Sequence, residues 1–237
     1  MLQGNFRCRV YKSGQDLEKK SRNIETNQAG VHERLEHTVR KHLLHPFQRP
    51  IADHTQTAFS DVQVKLATHV RPLILDSCCG TADSSRVLAT DNPDHWVVGI
   101  DKSEHRLHKE HTEKPPENLI LLRADLNDFY RLAVIAGWQP VRHYLLYPNP
   151  WPKSAHLGRR WHGAPVFPDI LKLGGCLELR SNWKIYLDEF QIALSIAGYA
   201  SEIFAFEPTS YLTAFEKKYH LSSQPLWRLT CNLDRSG

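Results

Sequence analysis

LILDSCCGTADSS, residues 73–85, decides how the chain is read. An apolar run from Leu73 to Leu75 ends at an acid, Asp76, then small residues lead through Ala82 into a helix-like stretch. Small side chains let a backbone approach a ligand closely, and the first turn of a following helix offers free N–H groups. Strand, tight turn and helix together have the form of a nucleotide-cradling turn. Gly80 is the glycine of this turn. Against a Gly-x-Gly-x-Gly pattern the outer positions are Cys78 and Ala82, both small, so an ordinary tight turn between strand and helix stays open as an alternative.

Outward from this stretch the texture repeats. WVVGID (96–101), LILLRAD (119–125) and YLLYP (144–148) are short apolar runs, as expected of strands buried on both faces. Helix-like segments lie between them at 82–89, 103–112 and 127–136. Such alternation means βαβ units and a parallel sheet. It continues with a helix near 165–173, the turn Gly174-Gly175, a strand at 176–182 and a long helix at 184–197. Two last runs, 199–206 and 225–233, are joined by EPTSYLTAFEKKYH, which has no apolar helix of crossover quality, so an antiparallel pair is expected to close the sheet. The expected fold is α/β: a Rossmann-like sheet of five parallel strands plus a C-terminal antiparallel hairpin.

Residues 1–68 read as a basic N-terminal extension ahead of a domain at 69–237. The first 30 or so residues lack periodicity and read as a mobile arm. Val31, Leu35, Val39 and Leu43 then recur four apart in an amphipathic helix ended by Pro46, and a second helix is expected over 58–67. Net charge is +4 overall, yet residues 1–50 hold ten Lys/Arg against five Asp/Glu, with His32, His37, His42 and His45 among them. This basic front suits a polyanion or is a solvated helical face. The five cysteines are odd in number and form no Cys-x-x-Cys pair, which suggests neither a disulfide framework nor a zinc site; no metal is expected. No apolar run of membrane length occurs and the N-terminus is too polar for a signal peptide, so a cytoplasmic protein without a membrane partner, most simply a monomer, is expected.

Asp76, Asp101 and Asp125 end three consecutive strand-like runs. Asp101 lies 21 residues after Gly80, where an acid can accept hydrogen bonds from ribose hydroxyls, and Asp125 could meet an adenine amino group. Either could equally cap the helix that follows. Together they describe a pocket for an adenosine-bearing cofactor. Nothing resembles a hydride-transfer site, which leaves a nicotinamide cofactor open as the weaker reading, and no phosphate-binding Gly-x4-Gly-Lys-Ser/Thr loop occurs; S-adenosylmethionine, a cofactor without phosphate, fits better.

A second unusual stretch, HYLLYPNPWPK (143–153), follows a strand with three prolines in five positions. Proline disfavours the helical region for the residue before it, so Tyr147, Asn149 and Trp151 are expected to be extended and Asn149 to be aimed with little freedom. YPNPWPKSAHLGRR resembles the Pro-Asp-Pro-Trp segment of the bacterial tRNA (guanine-N7-)-methyltransferase family, with Lys153, His156, Arg159 and Arg160 in register. SNWKIY is similar to that family's Thr-Asp-Trp-x-x-Tyr segment through Trp183 and Tyr186, and TAFE (213–216) to its Thr-Lys-Phe-Glu motif. The resemblance spans about residues 70–233. It implies a class I methyltransferase using S-adenosylmethionine and acting on tRNA, at the guanine of position 46. It further implies that Asp76, Cys78, Gly80, Asp101, Asp125 and Asn149 line the cofactor site, with Asn149 at the catalytic position. Lys153, Asn182, Thr213, Phe215 and Glu216 would face the guanine, and His156, Arg159 and Arg160 the RNA.

Two acids of the family pattern are asparagines here, Asn149 and Asn182, and Ala214 replaces a lysine. Guanine N7 has a free lone pair, so transfer needs alignment and tolerance of a developing positive charge rather than a base. Glu216 is the candidate to compensate for the lost carboxylates. Two other readings stay open: an amino-group methyltransferase of the Asn-Pro-Pro-aromatic kind acting on adenine, although Pro150-Trp151-Pro152 exchanges the order, and a catalytically weak RNA-binding relative.

Overall fold

The structure, a computed structural model, describes residues 21–234. Among these, two helices precede the sheet: α1 (Leu35–Leu44) and α2 (Asp53–Leu66). Strands and helices then alternate: β1 (Leu73–Ser77), α3 (Asp83–Asp91), β2 (Trp96–Asp101), α4 (Glu104–Leu107), β3 (Leu119–Arg123), α5 (Leu126–Ile135) and β4 (Arg142–Leu146). After two short 3₁₀ turns come α6 (Phe167–Lys172), β5 (Cys176–Ser181), α7 (Lys184–Ile196), β6 (Ser201–Ala205), α8 (Ala214–Leu221) and β7 (Trp227–Asn232).

The seven strands pair in the order β3-β2-β1-β4-β5-β7-β6, with β7 antiparallel to both β5 and β6. The expected five parallel strands and closing antiparallel pair are therefore present. The helix-like stretch expected at 103–112 is only the single turn of α4, and the connection from β6 to β7, expected to hold no apolar crossover helix, contains the short polar helix α8. Its apolar stripe is thin, but Thr213 caps it by accepting from the Glu216 N–H, a local signal that hydropathy does not register.

Order reverses between β1 and β4. In open parallel sheets ligands bind in the crevice beyond the strand ends at this switch point. Asp76 in β1 is level with Gly99 in β2 and with Tyr144 in β4, so the turn after β1 and the proline-rich loop after β4 emerge side by side. Gly99 is needed for packing: a Cβ there would sit 2.4 Å from the Ser85 hydroxyl of α3.

The N-terminal helices share the cores of the sheet layers. Leu35 and Val39 of α1 are buried with Phe167, Leu187 and Phe190; Phe59 of α2 stacks on Trp138 at 4.8 Å beside Phe129. Of the arm expected to be mobile, residues 1–20 lie outside the described residues. Residues 21–32 are tied down. Ser21 N–H donates to the Ser222 hydroxyl, the Thr26 hydroxyl to the Pro152 carbonyl at 2.6 Å, and Asn27 accepts from the Ser154 N–H. The segment is thus a strap from the end of α8 to the proline-rich loop.

Candidate active site

The turn after β1 alternates handedness. Cys78, Gly80 and Ala82 have φ of +64°, +59° and +61°, so the two positions where the glycine pattern is broken keep the left-handed backbone that glycine adopts most easily. For Cys78 and Ala82 this costs about 1–2 kcal/mol each. A turn held at that cost has its N–H groups fixed for a ligand.

Asp76 is fully buried. One carboxylate oxygen accepts from the Ser84 and Ser85 hydroxyls, both at 2.6 Å, while Oδ1 has no partner. Burial pushes this carboxyl up to about 6, against which the two hydroxyls act. Asp101 accepts from the Gly80 N–H at 3.0 Å and the Ser103 N–H at 2.8 Å, and pairs with Arg106 at 2.9 Å. Burial, with the charge of Asp101 nearby, pushes the Cys78 thiol up to about 12, so it is a neutral packing group rather than a nucleophile. Asp125 caps α5 through the Asn127 N–H and pairs with Arg49 of the N-terminal extension at 3.1 Å. Burial opposes its ionisation, but Asn127 and Arg49 hold its carboxyl below the ordinary range.

Across the switch point, β4 runs into the proline-rich loop. Tyr147 and Trp151, expected to be extended ahead of their prolines, instead have φ of +51° and +45°. At Tyr147 tertiary contacts override the local rule, and at Trp151 a turn closed by the Asn149 side chain does. The Tyr147 N–H donates to the Arg180 carbonyl and its hydroxyl to Glu216, while the Trp151 N–H donates to Asn149 Oδ1 at 3.2 Å. Asn149 is exposed at the mouth of the crevice, with its oxygen engaged by its own loop.

Arg160, expected to meet RNA, does not reach solvent: its side chain is 0% exposed. The guanidinium donates to the carbonyls of Trp151 and Lys153, to Gln28 of the strap and to Glu189 of α7. Glu189 is equally buried and also accepts from His162, from Gln28 and from the His32 N–H. Burial opposes its charge, yet His162 and Arg160 hold its carboxyl at about 2. Neighbouring Arg159 is exposed and lies 4.7 Å over the Trp151 ring, with His156 against the ring edge and Lys153 in solvent. Burial and the Arg159 charge lower the His156 imidazole.

The residues expected to face guanine are arranged differently from one another. Asn182 donates to Gln224, whose own amide donates to the strap carbonyls of Ser21 and Arg22. Phe215 is 49% exposed and stacks on Tyr219. Thr213 is engaged as the cap of α8. Glu216 is 0% exposed; it pairs with Arg180 at 2.9 Å and accepts from Tyr147 and from the Leu212 N–H. Its charge is therefore already matched, and it does not supply the compensating carboxylate expected of it. Arg49, Arg106, Gln28 and Glu189 escaped the sequence reading. Of these only Glu189 left a signal, as a lone acid among Tyr186, Leu187, Phe190 and Ala193 on the buried face of α7. No cluster of three or more metal-ligating side chains occurs among the described residues.

A sheet of this order, with a tight left-handed turn at its switch point, has the fold of class I, Rossmann-like methyltransferases. A methyltransferase family model, described as "Putative methyltransferase", matches residues 70–229, and the chain belongs to that family. Among similar curated proteins, a tRNA (guanine-N(7)-)-methyltransferase of Lysinibacillus sphaericus (strain C3-41) is 29% identical over 174 residues, covering 67% of this chain and 78% of that protein. One of Saccharophagus degradans (strain 2-40 / ATCC 43961 / DSM 17024) is 27% identical, covering 70% and 69%. In fold the chain resembles the 16S rRNA methyltransferase KamB, with a TM-score of 0.56 at 17% identity over 78% of this chain and 95% of that one. It also resembles a 16S rRNA (adenine(1408)-N(1))-methyltransferase from Catenulisporales acidiphilia solved with SAM, with a TM-score of 0.53 at 16% identity over 75% and 92%.

The class implies S-adenosylmethionine, and the residues present fit it. The turn backbone is open, with nothing nearer than Arg106, at 3.9 Å, to a Cβ placed on Gly80. Asp76 keeps an unpartnered buried oxygen beside the turn, and Asp101 can exchange the 43%-exposed Arg106 for a diol. Acids suit a cofactor that carries positive charge.

Proposed function

We propose that this chain transfers the methyl group of S-adenosylmethionine to N7 of a guanine in tRNA. The observation that carries this reading is the loop after β4. Asn149 stands at the crevice mouth beside the cofactor turn, with Lys153 and the Arg159–Trp151 stack exposed directly behind it, so one rigid loop joins the reacting end to an RNA-facing surface. The cofactor supplies an electrophilic methyl group when bound. Asp76, Asp101 and the turn N–H groups hold and orient it. Asn149 Oδ1 is fixed by Trp151, which leaves the amide to orient the base, and N7 needs no proton removed. Lys153 and Arg159 neutralise phosphate.

A second reading is favoured by one observation. Asn149 and Asn182 are neutral and Glu216 is paired, so the reacting end lacks a free carboxylate, as in a weakly catalytic RNA-binding relative. Incubation with S-adenosylmethionine and tRNA lacking N7-methylguanosine, followed by nucleoside mass spectrometry, separates the two. N7-methylguanosine is the expected product. N6-methyladenosine, or no methylation despite RNA binding, overturns the proposal.

A further inference from the structure

The surface of α1 has its charge sorted by flank. At about 100° per residue, Arg34 at the start of the helix, His37, Lys41 and His45 just past its end fall on one side, spaced three and four apart. All four are exposed, and none has a carboxylate partner among the described residues. The acids Glu33 and Glu36 lie on the adjoining side, where Glu36 pairs with Arg40 at 2.8 Å and Glu33 stands four residues before His37. A merely solvated helix gains from mixing its charges, since opposite charges three or four residues apart attract. Here Glu36 and Arg40 are mixed in that way, whereas Arg34, Lys41 and His45 have no acid three or four residues away, and the row is left cationic.

The position of the helix gives that flank a direction. His32, just before α1, donates its N–H to Glu189, the carboxylate that also holds Arg160 under the proline-rich loop. The other end, at Leu43, lines a cleft with Pro140 and Gly174, just before β4 and β5 begin, at the opposite ends of the strands from the crevice. The cationic row therefore starts beside the candidate catalytic loop and runs about 15 Å away from it. A crevice ligand cannot reach along it, whereas an RNA whose target base enters the crevice can.

We infer that the Arg34–His37–Lys41–His45 flank of α1 is a second phosphate-binding surface for the RNA substrate, continuing from Lys153 and Arg159; this rests on the tRNA reading above. The row binds sugar-phosphate backbone rather than bases, so it contributes affinity and not the choice of nucleotide.

The test is the full-length variant Arg34→Gln/Lys41→Gln, with Arg40→Gln on the other flank as control. Binding of an unmodified tRNA transcript is measured over a salt series, together with S-adenosylmethionine affinity and thermal stability. Two lost phosphate contacts are expected to lower the slope of log affinity against log salt by about 1.5 and to weaken binding by roughly tenfold at low salt. The tRNA KM should rise with kcat unchanged, and Arg40→Gln should match wild type. An unchanged slope, or an equal loss in Arg40→Gln, overturns the inference, as does a parallel loss of cofactor affinity. Wild type that binds tRNA while the double variant binds it equally well refutes only this surface. Wild type that fails to bind tRNA refutes the tRNA reading as well.

Discussion

Breaking the buried Arg160–Glu189 pair should cost more stability than any surface charge change in this protein. Both side chains are 0% exposed, so Arg160→Met leaves the Glu189 carboxylate buried against neutral donors, and Glu189→Gln leaves the guanidinium with carbonyl partners only. Removing one member of such a pair costs about 3–5 kcal/mol. The acid shift gives a similar size: Glu189 is held at about 2 instead of the ordinary 4.5, worth roughly 3 kcal/mol at neutral pH. For a chain of this length the midpoint of thermal unfolding should fall by roughly 6–20 °C in either variant. The double variant leaves no unmatched charge and should cost about as much as one single change, giving a coupling of about 3–5 kcal/mol in a denaturation cycle. Because the folded carboxyl is depressed, its stabilisation is present above pH 4.5 and is lost as pH falls toward 2. The gap between wild type and Glu189→Gln should therefore narrow on acidification. Additive single changes within about 0.5 kcal/mol, or a gap independent of pH, would refute the reasoning.

Asp76→Asn should stabilise the free protein by up to about 3 kcal/mol at neutral pH, because a carboxyl raised to about 6 favours folding below 3.8 and loses that contribution as pH rises through 6. Calorimetry should show weaker S-adenosylmethionine binding in the same variant, and unchanged cofactor affinity would remove Asp76 from the site. Asn149→Asp places a carboxylate near the charge developing on the purine. At ~4 Å that interaction is worth roughly 1–4 kcal/mol, or one to three decades in single-turnover methylation rate, and a rate equal to wild type would count against electrostatic control at this position. Arg159→Glu should weaken tRNA binding steeply at low salt with unchanged thermal stability, since its side chain is exposed. A loss of stability like that of Arg160→Met would contradict the different surroundings of the two neighbours.

The strands and the left-handed turn after β1 were legible because burial on both faces writes itself as unbroken apolar runs, and because Cys78 and Ala82 are small enough for the left-handed backbone that the glycine pattern encodes. Arg159 and Arg160 show where legibility stopped. Adjacent and identical in type, one stacks on Trp151 in solvent and the other is enclosed, and the difference lies 29 residues away in Glu189. An acid on the apolar face of α7 must acquire a buried cation, which sequence could announce without saying which one. The backbone of Tyr147 and Trp151 was hidden for a related reason. A pre-proline preference is local and weak, and contacts from β5 and α8 to Tyr147 overcame it. Those contacts also bear on the chemistry. Arg180 lies between Glu178 and Glu216, and Arg228 is 4.0 Å from Glu178, so two acids and two arginines cancel behind Tyr147. With those charges matched, the proposed transfer would rest on alignment of the base by neutral groups such as the Asn149 amide, held by its loop, rather than on a free carboxylate.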